Sequence, residues 1–569
     1  MKILLTTLHA KYIHNSLALP CLASFGSDLD AEFVIREYTV HEPKQNVVAS
    51  LLTESPDVIA FSVYLWNRHQ TFELIDLLAT INPKLKIVIG GPEVSFDGPE
   101  LFASHPGLTA LVRGEGEKPL HGLITAWSAG KEPDGVGRLI WRSEDGKISN
   151  GPDNPVLANL DDIASPFQNG LVETGRGFVY FETSRGCPYS CSFCMSALDE
   201  TVRSFSEKRI ESDLKWLIDR KVAKIKLVDR TFNYNPKRAR AIFRFILENN
   251  KQSHFHFEIG AHLLDEETLE LLEQVPAGMF HFEIGVQSTL PQTLTAIERR
   301  VSLEKVIENI KALKARTRIE LHLDLIAGLP GEGYDRFLES IDRLFDLQPD
   351  HLQIEPVKLL PGSPLRISAK TQNLHFDPNP PYTITASPDM IYNELEMLGN
   401  IGRMIDLTWN SSRLKGFLNK LSGSHGSMSK ALELLALHLH GKGLFRLPLS
   451  QQSLFEAVWD FVRQIPDTEE RETLQDYLAH DYPLCERVIP AKAPDFFDIG
   501  LTPAEQDKVR TEVEKRQLEL RGQKIRLQYF AAIFNHLEKT GQRQVRLFFY
   551  LTKSHTGRTV EELALPGEM

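Results

Sequence analysis

At 569 residues the chain is too long for a single hydrophobic core, and with 42% hydrophobic and 25% charged residues it reads as ordinary soluble globular protein. A formal charge of −12 argues against a broad surface for phosphate backbones, and no apolar run reaches the length of a membrane span, so neither a membrane nor a nucleic-acid partner is expected. Met1-Lys2 leads straight into a strand-like ILLTTL rather than a signal peptide, and three of the five cysteines fall within eight residues; a cytoplasmic protein with a metal site is expected, not a disulfide framework.

Residues 1–150 alternate strands and helices. KILLTTL, AEFVIREYTV, DVIAFSVYLW, KIVIGG and TALVRGEGE are short apolar runs ending in small or polar residues, and RHQTFELIDLLATIN between them has helical periodicity. This alternation predicts a doubly wound α/β domain, which binds ligands at the carboxyl ends of its strands. Those ends are Ser62, Tyr64, Leu65 and Trp66, then Gly90, Gly91, Pro92 and Glu93, then Gly114, Glu115, Gly116 and Glu117. Plain tight turns would explain the same glycines. RLIWRSEDGKIS reads as a hairpin around Asp145-Gly146, and residues 151–176 as a linker rich in Pro and Asp.

From residue 177 to 384 the alternation resumes with strands near 178–184, 224–229, 255–260, 279–287, 318–327 and 351–357. Six strand–helix units predict a partial (β/α)6 barrel with its chemistry at the strand carboxyl ends. The hexapeptide FHFEIG occurs twice, at 255–260 and 280–285. Alternate residues of a strand face opposite ways, so His256 and Glu258 share one face, and His281, Glu283 and Gln287 share another. His322 and Asp324 repeat the scheme on strand five, and His351, Gln353 and Glu355 on strand six. Each residue alone suits a hydrogen-bonded wall; together they predict a barrel that holds something polar. His256, Glu258, His281 and His322 are the candidates for the substrate cavity. Residues 385–569 read as mostly helical, including the stretch 504–539, with QVRLFFYLT as a terminal strand.

The strongest signal is Cys187-Pro-Tyr-Ser-Cys191-Ser-Phe-Cys194, on the loop after the first barrel strand. Three thiolates at this spacing can hold three irons of a [4Fe–4S] cluster and leave the fourth iron open to a small molecule. A zinc site is the alternative, but structural zinc takes four closed ligands and no partner pair of cysteines exists. Free cysteines are the other alternative.

The stretch TSRGCPYSCSFC, with Phe193 before the last cysteine, resembles the signature of the radical SAM superfamily. The resemblance covers about 177–365 and implies that the open iron chelates S-adenosylmethionine (SAM), which one electron cleaves to methionine and a 5′-deoxyadenosyl radical. It also places Asp229 near the SAM amino group, where Arg230 stands in place of a second acid. Glu283, Gln287 and Ser288 fall near the ribose and carboxylate, and Asp324 and Gly328 near the adenine. Residues 1–150 resemble the cobalamin-binding domain of the cobalamin-dependent members, which implies that the three strand ends above meet cobalamin. The D-x-H-x-x-G motif of other cobalamin domains is missing. His14 lies near the equivalent loop without the Asp or Gly and reads as a loop histidine, so cobalt is expected to lack a protein imidazole. Tyr64, Leu65 and Trp66 would wall off its lower face.

The reading is a cobalamin-dependent radical SAM enzyme that methylates an unactivated carbon, supplied with electrons by a flavodoxin or ferredoxin. Two alternatives stay open: a rearrangement or cyclisation with the same cofactors, and a sensor that binds cluster or cobalamin without catalysis. A methylthiotransferase would need a second cysteine trio upstream, where only Cys21 lies.

Overall fold

A computed structural model describes residues 1–153, 156–198, 201–537, 542–553 and 557–566. The chain forms two compact units, 1–332 with 356–391, and 333–355 with 392–569.

The first unit opens with β1 (Lys2–His9), α1 (Ala18–Phe25), β2 (Glu32–Thr39), α2 (Lys44–Thr53), β3 (Val58–Ser62), α3 (Arg68–Ile81), β4 (Lys86–Gly90), α4 (Glu100–Ser104), β5 (Ala110–Val112) and α5 (Glu117–Ser128). The antiparallel pair β6 (Leu139–Arg142) and β7 (Ile148–Asn150) follows, turning at Asp145-Gly146. The sheet order is β2-β1-β3-β4-β5-β6-β7 and its first five strands are parallel. A parallel sheet covered by helices on both faces needs apolar residues on both, and β1 has them. Ile3 and Leu5 belong to one buried cluster with Val58, Val88 and Leu123. Leu4 and Leu8 belong to the other, with Ile59, Ile75 and Ile89. The strand order reverses between β1 and β3, which puts the ligand crevice beside the residues that follow those two strands.

The barrel strands of this unit are β8 (Val179–Phe181), then, after the short strands β9 (Ser184–Arg185) and β10 (Arg203–Ser204), β11 (Lys224–Leu227), β12 (His254–Glu258), β13 (Phe280–Gln287) and β14 (Glu320–Ala327). The five barrel strands run parallel in the order β14-β13-β12-β11-β8. Between them lie α6 (Glu207–Asp219), α7 (Pro236–Asn249), α8 (Glu266–Leu272), α9 (Pro291–Ala296) and α10 (Leu303–Arg316). Local sequence fixes where these helices start: Ser206, Asn235, Asp265 and Ser302 each accept a hydrogen bond from the backbone N–H three residues on. A sixth strand of the series, β15 (His351–Pro356), is counted with the second unit for all but its last residue.

The two FHFEIG copies lie side by side and in register, Phe255 against Phe280, His256 against His281, Phe257 against Phe282 and Glu258 against Glu283. Burial alternates B-i along the whole of β13, so Phe280, Phe282 and Ile284 face the helices while His281, Glu283 and Gly285 face inward. Phe232, Phe243, Phe255, Phe257, Phe280 and Phe282 form one aromatic block behind the barrel, with ring centroids as close as 4.7 Å. Phe257 is fully buried within it. Phe257→Ala is expected to cost about 3–5 kcal/mol of unfolding free energy, measured by urea denaturation of the cofactor-free protein.

The second unit holds the helix Tyr334–Phe345, helices between Tyr392 and Glu519, and an antiparallel meander of Ile525–Phe534, Gln544–Lys553 and Gly557–Pro566. The reading of 504–539 as helical is therefore corrected for its second half. The helix Pro503–Glu519 is followed by a left-handed Gly522, and IRLQYFAAIF beyond it forms a strand because it pairs over ten residues with QVRLFFYLTK. No helix among the described residues is long and apolar enough to cross a membrane.

Candidate active site

The cysteine loop leaves the barrel after β8 and is closed at its neck by the antiparallel ladder of β9 and β10. Cys187 and Cys191 are buried, Cys194 is half-buried, and all three are free thiols. Each sulfur has a hydrogen-bonding group beside it. The Thr231 hydroxyl lies 3.6 Å from Cys187 Sγ, Arg299 Nη1 is 3.7 Å from Cys191 Sγ, and the Ser196 N–H donates to Cys194 Sγ at 3.4 Å. Burial pushes the Cys191 thiol up, opposed by the Arg299 charge. Three free thiols on one loop offer ligands for three irons of a [4Fe–4S] cluster and leave the fourth iron open.

Around this loop the structure places residues that composition did not single out. Tyr189, between the first two cysteines, hydrogen-bonds His262 at 2.7 Å, and burial, then the Arg299 charge, lowers the pKa of that imidazole. Arg299 donates to the Gly285 carbonyl as well as approaching Cys191, so one cation bridges the cluster loop and β13. Asp229 is fully buried, and accepts bonds from the Thr183 N–H at 3.1 Å and from the Thr183 and Ser184 hydroxyls, with Arg238 at 3.9 Å. Burial raises its pKa. That carboxylate supports the turn that starts the cluster loop.

At the carboxyl end of β13 the ladder to β14 shifts register between Gly285 and Gln287, and Gln287 sits in the left-handed region at φ 72°. A non-glycine residue held there stores strain of about 1–3 kcal/mol, which clusters at functional sites. A Cβ on Gly285 would come 2.1 Å from the Gln287 amide. Ser288 is fully buried, and Gly328, just past β14, is left-handed at φ 82°. Phe193 is half-buried in the cysteine loop.

The barrel interior is polar, as the alternation implied. His256 Nε2 lies 3.1 Å from Glu283 Oε2, Lys226 Nζ lies 3.8 Å from the same oxygen, and His322 Nε2 lies 3.2 Å from Asp324 Oδ1. The His256 and His281 rings stand 4.9 Å apart. Burial, then the neighbouring His256 and His322, lower the His281 pKa to about 3. Burial opposes ionisation of Glu283, but the His256 bond and the Lys226 charge outweigh it and hold that carboxyl at about 2. Burial and then Glu283 push Glu258 up to about 7, and the same two causes raise Asp324. Adjacent strands thus carry one ionised glutamate and one that titrates near neutral pH.

A carboxyl raised on folding stabilises the native state at low pH, where it is protonated in both forms, and loses that contribution as pH climbs from its unfolded value of about 4.3 toward its folded value. With a folded value of about 7 for Glu258, the unfolding free energy of the parent should fall relative to Glu258→Gln across that window. Urea titrations at pH 5 and pH 7.5 on both proteins measure it; equal differences at the two pH values would remove the shift.

In the doubly wound domain the strand ends are tied together. Ser95 donates to the Gly91 carbonyl at 2.8 Å and accepts from the Gly114 N–H at 3.0 Å. Asn67 accepts from the Tyr64 N–H at 2.8 Å and donates to the Leu8 carbonyl at 2.9 Å. Tyr64 and Trp66 stack at 4.7 Å with their planes 4° apart, Trp66 Nε1 donates to the Leu8 carbonyl, and Trp66 stays 45% exposed. Three of the four ligand-facing loops meet barrel residues: His14 hydrogen-bonds Tyr180 at 3.0 Å, Glu93 accepts from Tyr382, and Glu115 and Glu117 bind arginines. The β3 loop is bonded to its own domain through Trp66 and Asn67, and its stacked Tyr64 and Trp66 form a flat aromatic plate at the switch point. That plate suits the face of a corrin ring, and His14, bonded to Tyr180 and packed edge-on against Phe178, is committed elsewhere.

Fold and site together define a radical SAM protein with an N-terminal B12-type domain. Family models agree: residues 181–344 match the radical SAM superfamily, 3–124 the B12 binding domain, and 371–549 a domain described as a protein of unknown function (DUF4080). Residues 3–124 and 181–344 of the chain thus carry, in that order, a B12-binding and a radical SAM domain, the pairing named in its cobalamin-dependent relatives. Its relatives include the cobalamin-dependent radical SAM methyltransferase TokK of Streptomyces tokunonensis, 26% identical over 440 residues, a match covering 73% of this chain and 62% of TokK. An uncharacterized methyltransferase of Pyrococcus horikoshii is 27% identical over 329 residues, covering 56% of this chain and 70% of the relative. The chain thus spans under two thirds of TokK. The solved structure of the cobalamin-dependent SAM radical enzyme OxsB with aqua-cobalamin shares the fold, with a TM-score of 0.58 at 18% identity over 84% of this chain and 79% of that one.

Proposed function

We propose that this protein is a cobalamin-dependent radical SAM methyltransferase that acts on an unactivated carbon. The observation that carries the reading is a cysteine trio with a hydrogen-bonding group beside each sulfur, packed in one compact unit with a doubly wound domain whose switch point presents an aromatic plate. The methyltransferases among its relatives support the same reaction class. When bound, a [4Fe–4S] cluster on Cys187, Cys191 and Cys194 would supply the electron that cleaves SAM, and cobalamin the methyl group. Arg299 offers a cation beside Cys191 for the SAM carboxylate, and Phe193, Gln287, Ser288, Asp324 and Gly328 shape the rest of that site. Tyr64, Leu65 and Trp66 exclude water from the corrin side. In the lumen, His256 Nε2 pairs with Glu283 Oε2, while Glu258, titrating near neutral pH, can donate to or accept from a polar substrate.

The test uses methyl-labelled SAM with reconstituted enzyme, a low-potential flavodoxin or ferredoxin and candidate substrates. Label in a product heavier by one CH2 supports methylation. Turnover without label or added mass would favour the rearrangement instead, and the absence of 5′-deoxyadenosine would leave only a sensor.

A further inference from the structure

Arg185 and Arg203 face each other across the β9–β10 ladder, the neck through which the chain enters and leaves the loop bearing all three cysteines. Like charges directly opposed on neighbouring strands destabilise a ladder unless opposite charge lies between them. Here most of it comes from the N-terminal domain. Arg185 Nη2 donates to Glu117 Oε1 at 2.8 Å and its Nη1 lies 3.6 Å from Glu115 Oε2, while its Nε donates to Glu182 at 3.0 Å. Arg203 holds both oxygens of Glu115, at 3.0 and 2.5 Å, and donates to the Leu157 carbonyl at 2.6 Å. Glu117 and Arg203 are buried; Glu115, Glu182 and Arg185 are half-buried. Bidentate pairs of this kind give orientation as well as energy, because the planar guanidinium fits a carboxylate in one plane.

We propose that this network is a clamp by which the Gly114-Glu115-Gly116-Glu117 loop positions the cysteine loop. Glu115 and Glu117 act on the neck arginines, and not on the corrin; they are positioning residues that hold the two cofactor sites in register. The loop is built for this. Gly114 is left-handed at φ 74°, which turns the chain sharply after β5, and Glu117 is the first residue of α5, so its carboxylate is held at the start of a rigid helix. The inference rests on reading the cysteine loop as the cluster site and the N-terminal domain as the corrin site.

The experiment compares full-length parent protein with Glu117→Gln and Arg203→Lys, each with and without reconstituted cofactors. Hydrogen exchange of the amides in 186–198 is expected to accelerate about tenfold in both variants, reflecting easier local opening. The cluster's electron paramagnetic resonance line shape should change and iron per chain should fall, although Glu117 lies in the other domain. Cobalt per chain should match the parent. Exchange and line shape equal to the parent's would overturn the clamp. So would loss of cobalt with exchange in 186–198 unchanged, which would return the carboxylates to the corrin. Should Glu117→Gln fail to fold, Arg203→Lys reads the neighbouring contact of the same clamp, to Glu115, with its charge retained. A parent protein that holds neither iron nor cobalt would sink the cofactor reading, while exchange in the cofactor-free proteins still decides the clamp.

Discussion

Replacing Cys187, Cys191 and Cys194 together by alanine is expected to abolish the iron–sulfur absorption and the formation of 5′-deoxyadenosine, while the corrin bands persist. Deleting a thiol removes little volume, and a neutral change at a buried cysteine costs on the order of 1 kcal/mol per site. The loop is also anchored independently of its sulfurs. The β9–β10 ladder closes it, the Ser192 N–H donates to the Ile297 carbonyl at 2.9 Å, and the Ser192 carbonyl accepts from the Leu365 N–H at 2.8 Å. The variant should therefore fold and keep cobalamin. Visible spectra of anaerobically purified parent and variant, grown with cobalamin, read both cofactors at once. A variant that kept the cluster bands would remove the cysteines as ligands. Loss of the corrin bands along with them would mean that the two sites do not bind independently.

The second large effect is expected at Gly91. Its φ of +107° lies where side chains are rarely tolerated, and a Cβ there would stand 2.6 Å from the Val63 carbonyl oxygen, a backbone atom with no room to yield. The strain alone costs about 1–3 kcal/mol, before any steric term. The β4 loop would have to move away from the β3 loop, breaking the bond from the Val63 N–H to the Gly90 carbonyl at 2.7 Å and displacing the plate of Tyr64 and Trp66. Gly91→Val should lose corrin bands and retain the cluster, the reverse of the cysteine variant. Gly130→Ala is the control. Gly130 is also left-handed, at φ 64°, but nothing lies within 4 Å of its would-be Cβ, so strain of about 1–2 kcal/mol is the only penalty and both cofactors should stay. Corrin binding undisturbed in Gly91→Val would place the corrin away from these strand ends.

Much of this protein is determined by local sequence. Period-2 alternation in FHFEIG sets which residues face inward, whatever packs around them, because successive side chains must leave a strand on opposite sides. Runs such as ILLTTLH, apolar on both faces, fit only a sheet covered on both sides. The cysteine spacing suits three irons of a cluster. Capping residues such as Ser206 and Asn235 mark helix starts through bonds that reach three residues and no farther.

Other features exist only once distant segments meet. The order of the barrel units makes the two FHFEIG strands neighbours, but their register is set only by the fold, and it is Glu283 beside Glu258 that, with burial, pushes Glu258 up to about 7. The segment 525–534 carries residues suited to either structure; ten residues of pairing with 544–553 make it a strand, since ladder bonds depend on a partner and helix bonds do not. The glutamates of the Gly-Glu-Gly-Glu loop read, from their place at a strand end, as ligand contacts. Arg185 and Arg203, 68 and 88 residues away from the glutamates they bind, give them a different place. Charge pairing depends on distance in space, which a chain's order does not contain, and so the joint between the two cofactor sites belongs to the tertiary structure alone.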